Sequence, residues 1–279
     1  MPVVDSTQYI PLIQGMTDSF NDFIGNEQSD WLLSIAHDLC DPAQSRGILC
    51  AEGPNNTWRH ITALEPLRDT RYLYELPPTA VVELCKIWLL KNECTTDSAG
   101  RAGAMRTAVL ERDDDTCWIS RAFSTHDTYV TSHICPKTMG GVQASHILQT
   151  FCGYQGANVG IFHPMFGITL SRNLEPFFSS YRLGFRRIGS SNRYKVHCFF
   201  TTPTNIFGTS PVPGLPLPLL LEIVLKDAPW PGHPDNPPPG LFRWHYLQCV
   251  LRHYATQEYR LLPNISYHEV PLPTEGDSE

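Results

Sequence analysis

His133 stands two residues before Cys135 and four before Lys137, so an imidazole, a thiol and an amine share one short segment. Histidine titrates near neutrality and is the side chain best suited to moving protons at physiological pH. Cys135 beside it suggests a nucleophile, although an apolar strand cysteine is usually inert. Asp113-Asp114-Asp115 is a second concentration of reactive groups. Three successive carboxylates suit a cation, but no further ligands lie nearby in sequence, and a solvated turn before a strand is the simpler expectation. The nine cysteines are Cys40, Cys50, Cys85, Cys94, Cys117, Cys135, Cys152, Cys198 and Cys249. None forms a C-x-x-C pair, and an odd number in a chain of this length reads as reduced, mostly buried thiols. No Gly-x-Gly-x-x-Gly follows a strand and no P-loop is present, so the expected chemistry uses no cofactor.

Four stretches carry a pattern beyond these single groups. The first is Leu110-Glu111-Arg112-Asp113-Asp114-Asp115-Thr116-Cys117-Trp118-Ile119-Ser120. The second is Ser132-His133-Ile134-Cys135-Pro136-Lys137. The third is Gly167-Ile168-Thr169-Leu170-Ser171-Arg172-Asn173-Leu174-Glu175-Pro176-Phe177-Phe178-Ser179. The fourth runs from Pro237 through Gly240-Leu241-Phe242-Arg243-Trp244-His245 to Leu251. In order and spacing they resemble the fungal HNH-endonuclease-like family across roughly Leu110 to Tyr254.

The resemblance implies an α+β fold with a ββα core, in which a hairpin and one helix hold a divalent metal and a histidine activates water. His133 holds the general-base position. Phe166 stands where the family has the asparagine that positions that base. Glu175 replaces the helix histidine, and Ser179 replaces the aspartate after Phe178. Thr131 and Ser132 stand where an acidic or histidine neighbour is common. This degenerate set implies no metal and no DNA cleavage, because one carboxylate and one histidine rarely hold a divalent ion.

The same likeness has His133 and Glu175 facing each other as a metal-free acid–base pair. Phe166, Phe177, Phe178, Tyr181 and Phe185 would surround them as the aromatic walls of a small-molecule pocket. Tyr129, Lys137, Arg172 and His163 are secondary substrate-binding candidates, and Lys137 and Arg172 suit an enolate or carboxylate. The plainer alternatives are a core histidine, a solvated glutamate, surface charges and aromatic core. The function expected on this basis is a cofactor-free cyclase or isomerase of fungal secondary metabolism acting on a small apolar substrate. An HNH endonuclease with an atypical ligand set, and a catalytically silent module binding nucleic acid or protein, are the alternatives.

The elements that must position these residues follow from apolar spacing. Asp30 to Ala36 reads as a helix, with Asp30 as cap. Ala80 to Leu90 reads as a second helix after Pro77-Pro78-Thr79, and Ala104 to Glu111 as a third. Cys117 to Phe123 and Tyr129 to Ile134 read as short strands around a polar turn, Ser124 to Asp127. Gly140 to Gly156 reads as helix and loop. Phe162 to Leu170 leads to a helix over Leu174 to Leu183, and Arg193 to Phe200 alternates like a strand. Pro203 to Pro239 is a proline-rich excursion in which Leu219 to Lys226 reads as a strand. Gly240 to Tyr254 is an amphipathic helix. Residues 1–103 are thus expected to form a mainly helical region, 104–202 the core, and 203–279 the excursion and closing helix, all within one compact unit.

The chain has 279 residues, enough for a sizeable core, and only 18% are charged. A formal charge of −7 argues against a protein built to grip duplex DNA. The counter-signal is local: Arg172, Arg182, Arg186, Arg187, Arg193 and Lys195 face only Glu175 in their segment. Leu215 to Leu225 is interrupted by prolines and too short to span a bilayer, so no membrane partner is expected. The N-terminus shows no basic stretch before an apolar run, which points to the cytoplasm. A homo-oligomer is compatible with this composition.

Overall fold

The computed structural model describes residues 11–16, 28–62, 65–77, 82–88, 99–119, 129–155, 159–189, 194–199, 233–261 and 269–270. The chain is α+β, mixing helices with small antiparallel sheets. It divides into two units, one made of residues 1–87 and 251–279, the other of residues 88–250. Among the described residues no helix is long and apolar enough to cross a membrane. Eight of the cysteines are free thiols, and Cys94 lies outside the described residues.

The first unit opens with helix α1 (Gln28–Cys40). Its Trp31, Ile35 and Leu39 recur at helical spacing and are buried. Asp30 lies inside the first turn of this helix and not at its cap. Strands β1 (Ile48–Glu52), β2 (Trp58–His60) and β3 (Tyr72–Glu75) then form an antiparallel sheet in the order β2-β1-β3. This sheet corrects the expectation of a mainly helical N-terminal region. The helix expected over Ala80 to Leu90 is also absent from its described part. Strand β4 (Val82–Glu83) occupies it, and residues 84–88 are irregular. Tyr259 closes the unit from the far end of the chain by donating its hydroxyl hydrogen to the Cys85 carbonyl oxygen.

The second unit is built around one hairpin. Helix α2 (Ala99–Arg112) leads to strand β5 (Tyr129–His133), which pairs antiparallel with β6 (Gly167–Ser171). Tyr129 lies opposite Ser171 and His133 opposite Gly167. Between these strands come helix α3 (Gly140–Cys152) and a short 3-10 turn at Pro164–Phe166. Helix α4 (Glu175–Ser179) follows β6 and is only 5 residues long. The helix expected over Leu174 to Leu183 therefore stops early. Tyr181 takes a left-handed φ of 57°, a conformation that breaks a helix, and strand β7 (Leu183–Arg187) begins directly after it. β7 pairs with β8 (Tyr194–Cys198). Cys117 to Ile119 is a turn and not a strand, and the rest of that expected strand and the turn at 124–127 lie outside the described residues. The expected strand at 219–226 also lies outside them.

Helix α5 (Pro239–Tyr254) supplies the centre of this core. Leu241, Phe242, Trp244, Leu247 and Val250 are essentially fully buried. The Phe242 ring lies 5.4 Å from Phe185, 5.3 Å from Tyr194 and 5.4 Å from Trp118. Glycine opens the helix for a steric reason: a Cβ at Gly240 would sit 2.2 Å from the Phe151 carbonyl oxygen. Only a residue without a side chain lets α5 approach the end of α3 so closely.

Arg112 and Asp113 anchor the hairpin from the end of α2. The guanidinium donates through Nε and Nη2 to the two Asp113 carboxylate oxygens at 2.8 and 3.0 Å. It also donates to the carbonyl oxygens of Pro164 at 2.9 Å, Asp235 at 2.8 Å and Gly167 at 2.8 Å. Asp113 in turn accepts from the Thr169 amide at 2.9 Å. Both side chains are buried. The first acid of the Asp113-Asp114-Asp115 run is therefore an internal tether. Only Asp114 and Asp115 form the solvated turn expected of all three, with φ of 53° and 47°.

Candidate functional site

The hairpin face that meets α4 carries Ser132. Successive strand residues point to opposite faces, so Ser132, paired with Ile168, projects toward the helix. Glu175 and Ser179 lie four residues apart and share one face of α4. Ser179 donates its hydroxyl hydrogen to Glu175 Oε1. Ser132 donates to the same oxygen at 3.3 Å, and the two serine oxygens are 3.4 Å apart. Ser132 is buried, while Glu175 and Ser179 are partly exposed. The result is a carboxylate held at one oxygen by two neutral hydroxyls, an arrangement of charge-assisted hydrogen bonds that fixes its orientation at a partly exposed position. The same donor set is poor for a metal, since a divalent ion would find one carboxylate and two weak hydroxyl ligands.

His133 projects from the opposite face. Its ring meets Phe162 edge-on with centroids 5.8 Å apart, and the Arg101 guanidinium lies 5.4 Å from that same Phe162 ring. A Cβ at Gly167, its cross-strand partner, would meet Met105 at 2.7 Å and Val109 at 3.0 Å, so α2 packs on this side. His133 and Glu175, expected as a facing pair, thus stand on different sides of the hairpin. The physical cause is the two-residue period of a strand: with Ser132 turned to the helix, His133 must turn away.

Four of the five aromatic residues expected to wall a pocket are core, and the fifth, Phe177, is partly exposed with the Arg182 guanidinium 5.3 Å from its ring. Phe166, Phe178 and Tyr181 have no exposed surface. Phe178 stacks on His245 with centroids 3.9 Å apart and rings 9° from parallel, and its carbonyl oxygen lies 3.1 Å from His245 Nε2. Phe185 lies 5.6 Å from Phe178, and Tyr181 meets Trp244 edge-on at 6.5 Å. Of the two rings of α4, Phe178 alone turns inward beneath α5.

The secondary candidates are spread along the hairpin. Tyr129 is buried at one end of β5, and Arg172 is exposed just past its cross-strand neighbour Ser171. Lys137, partly exposed, begins a 3-10 turn beyond the other end. His163 caps the 3-10 turn at Pro164–Phe166, its Nδ1 accepting from the Met165 amide at 3.3 Å, with Nε2 3.6 Å from the Asp235 carboxylate. Cys135 is fully buried. Ser132 and Ser179 are the residues that the sequence pattern alone underrates. The signal for them is the i, i+4 spacing of Glu175 and Ser179, combined with the strand period that puts Ser132, not His133, on the helix side.

The second hairpin holds the basic residues. Arg186 lies opposite Lys195, and Gly184 opposite His197, all on one face. Arg182 and Arg187 are exposed, and Arg193 lies outside the described residues. Burial, reinforced by Arg186 and Lys195, pushes the His197 imidazole down to about 3. Its Nδ1 sits 2.6 Å from the Tyr246 hydroxyl. The unfolded chain takes up this proton near the ordinary value of 6.5, whereas the folded chain stays neutral until about pH 3. Below pH 6.5 the unfolded state therefore binds more protons, and this group removes stability as pH falls, by about 1.4 kcal/mol per unit at most. His197→Gln is expected to flatten the fall of the urea midpoint across that window. Equal acid slopes in the two proteins would show that His197 does not carry it.

No family model, curated protein or solved structure matches the chain.

Proposed function

We propose that the chain is a metal-independent enzyme that cyclises or isomerises a small apolar molecule, with Glu175 as its proton-transferring group. The observation that supports this is the convergence of the Ser132 and Ser179 hydroxyls on one oxygen of the Glu175 carboxylate. On the likeness to HNH nucleases, those positions would belong to metal ligands, and here they are hydroxyls that orient a base. A carboxylate so held and partly exposed is suited to taking a proton from carbon or returning one. Hydroxyl donors also let the charge return to the carboxylate without a counter-ion. His133 has no part in this step and is a packing residue of the α2 side.

The reading is tested by proton exchange at carbon. The purified protein is incubated in deuterium oxide with a panel of apolar ketones and polyenes, and deuterium incorporation is followed by mass spectrometry. Enzyme-dependent exchange is expected for part of the panel. It should fall by about 10²- to 10⁴-fold in Glu175→Gln and persist in His133→Ala. Exchange that survives Glu175→Gln would remove Glu175 from the reaction. Plasmid cleavage with magnesium, manganese, nickel or zinc that is lost in Glu175→Gln would instead favour a nuclease.

One observation favours a second reading. Arg182 and Arg187 are exposed on a hairpin whose Arg186 and Lys195 are also cationic. A catalytically silent nucleic-acid-binding module would show salt-sensitive DNA binding that Arg182→Ala/Arg187→Ala weakens.

A further inference from the structure

The three-stranded sheet of the first unit carries a set of donors on one face. Cys50 lies in the central strand β1, directly across from His60 in β2. On the other side Cys50 pairs with Leu73, two residues before Glu75 in β3, while Glu75 itself pairs with Ile48. Residues two apart on a strand share a face, so Cys50, His60 and Glu75 all project the same way. Their ligand atoms lie within 4.8 Å of one another. Glu75 Oε2 is the hub, 3.6 Å from Cys50 Sγ and 3.6 Å from His60 Nε2. Cys50 is buried under the other two, which are exposed.

We propose that Cys50, His60 and Glu75 form a zinc site with an open fourth position. Zinc bonds of about 2.0–2.3 Å to nitrogen, oxygen and sulfur in tetrahedral geometry place ligand atoms about 3.3–3.7 Å apart. The two separations of 3.6 Å fall in that range. A thiolate, an imidazole and a carboxylate form a mixed set that suits zinc better than the hard cations, which favour oxygen alone. A relay of the nucleophile–base–carboxylate kind would put the thiol and the carboxylate on different imidazole nitrogens. Here one carboxylate oxygen is 3.6 Å from both the sulfur and Nε2, and the sulfur and a ring nitrogen lie within 4.8 Å, so the three atoms form the corners of one small triangle. An ordinary surface pair of His60 and Glu75 would contribute little to stability and would not require a thiol beneath it. The exposed side leaves room for a water or a substrate atom as fourth ligand. In the metal-free chain the Cys50 thiol donates its hydrogen to Glu75 Oε2. A bound cation takes that proton's place.

The site is independent of the reading of Glu175 and is tested without any activity assay. Cobalt(II) serves as an optical probe and zinc as the competing ion, both titrated into the reduced full-length protein. The expected result is about one equivalent of cobalt, an ultraviolet thiolate-to-cobalt absorption, and its displacement by zinc. Cys50→Ser should abolish the absorption. His60→Ala and Glu75→Gln should each weaken zinc by about 100-fold, since even outer partners of a metal site are worth 10- to 100-fold. Should Cys50→Ser fail to fold, the two exposed substitutions decide the matter. Absence of binding in the native protein, unchanged affinity in His60→Ala and Glu75→Gln, or an absorption that survives in Cys50→Ser would each overturn the proposal.

Discussion

Asp113→Ala is expected to destabilise the protein by about 3–5 kcal/mol, the cost of leaving one partner of a buried ion pair uncompensated. The pair is bidentate, with Arg112 and Asp113 both buried. Removing the carboxylate strands the guanidinium among three carbonyl oxygens and takes away the acceptor of the Thr169 amide. That amide belongs to β6, so the loss reaches the hairpin directly. Total stability of a domain is about 5–15 kcal/mol, so this one change removes a large part of it. Urea unfolding followed by tryptophan fluorescence reads the effect. A loss under about 1 kcal/mol would mean that water reaches the guanidinium and that the burial described above is wrong.

Phe178→Ala is expected to cost about 3–5 kcal/mol by leaving a cavity where a fully buried ring was packed. Phe178 is fully buried between His245 and Phe185. It is also the buried residue of the five-residue helix α4. The same substitution should therefore move Glu175 relative to Ser132, and so reduce any deuterium exchange more than Phe178→Leu does. Thermal melts of the two variants read the stability difference. Equal melting temperatures for Phe178→Ala and the native protein would show that the ring is not packed as described. By contrast Glu175→Gln, at a partly exposed position, should change stability little.

Several elements are legible in the amino-acid sequence alone. Helices α1 and α5 are readable because their apolar residues recur at three and four positions over more than two turns, as with Trp31, Ile35 and Leu39. Strand β5 is readable from its short β-branched run and β8 from its alternation, and α3 from its apolar face ending at Gly153, which takes a left-handed φ of 71°. Strand β6, the true partner of β5, is not, because Gly167-Ile168-Thr169-Leu170-Ser171 is separated from it by residues 134–166 and carries no turn signal that links the two. The sheet β2-β1-β3 is not, since Ile48-Leu49-Cys50-Ala51-Glu52 shows no clean alternation and its partners are fixed only by pairing across loops. Val81, Val82, Leu84, Cys85 and Trp88 mimic helical spacing, yet β4 forms there, because local spacing does not distinguish a helix from a short extended run. At the site, Glu175 is legible, but its partners are not. Which of Ser132 and His133 turns toward α4 is a matter of register, and a slip of one residue exchanges them. Asp113 reads as solvent-facing charge because its amide partner, Thr169, lies 56 residues along the chain.

The Arg112 tether also constrains the order in which the molecule can be made. Its carbonyl partners lie 52, 55 and 123 residues further along the chain. During synthesis α2 emerges with only its neighbour Asp113 to hold the guanidinium, and the last carbonyl arrives when Asp235 leaves the ribosome. The first unit has the same property, since Tyr259 and Thr256 return to Cys85 and Pro11. Neither unit can complete its internal bonding from a nascent chain that stops short of these residues. Completion of both units therefore waits for these late residues, and chains stalled before them would expose Arg112, Trp118 and the hairpin to chaperones.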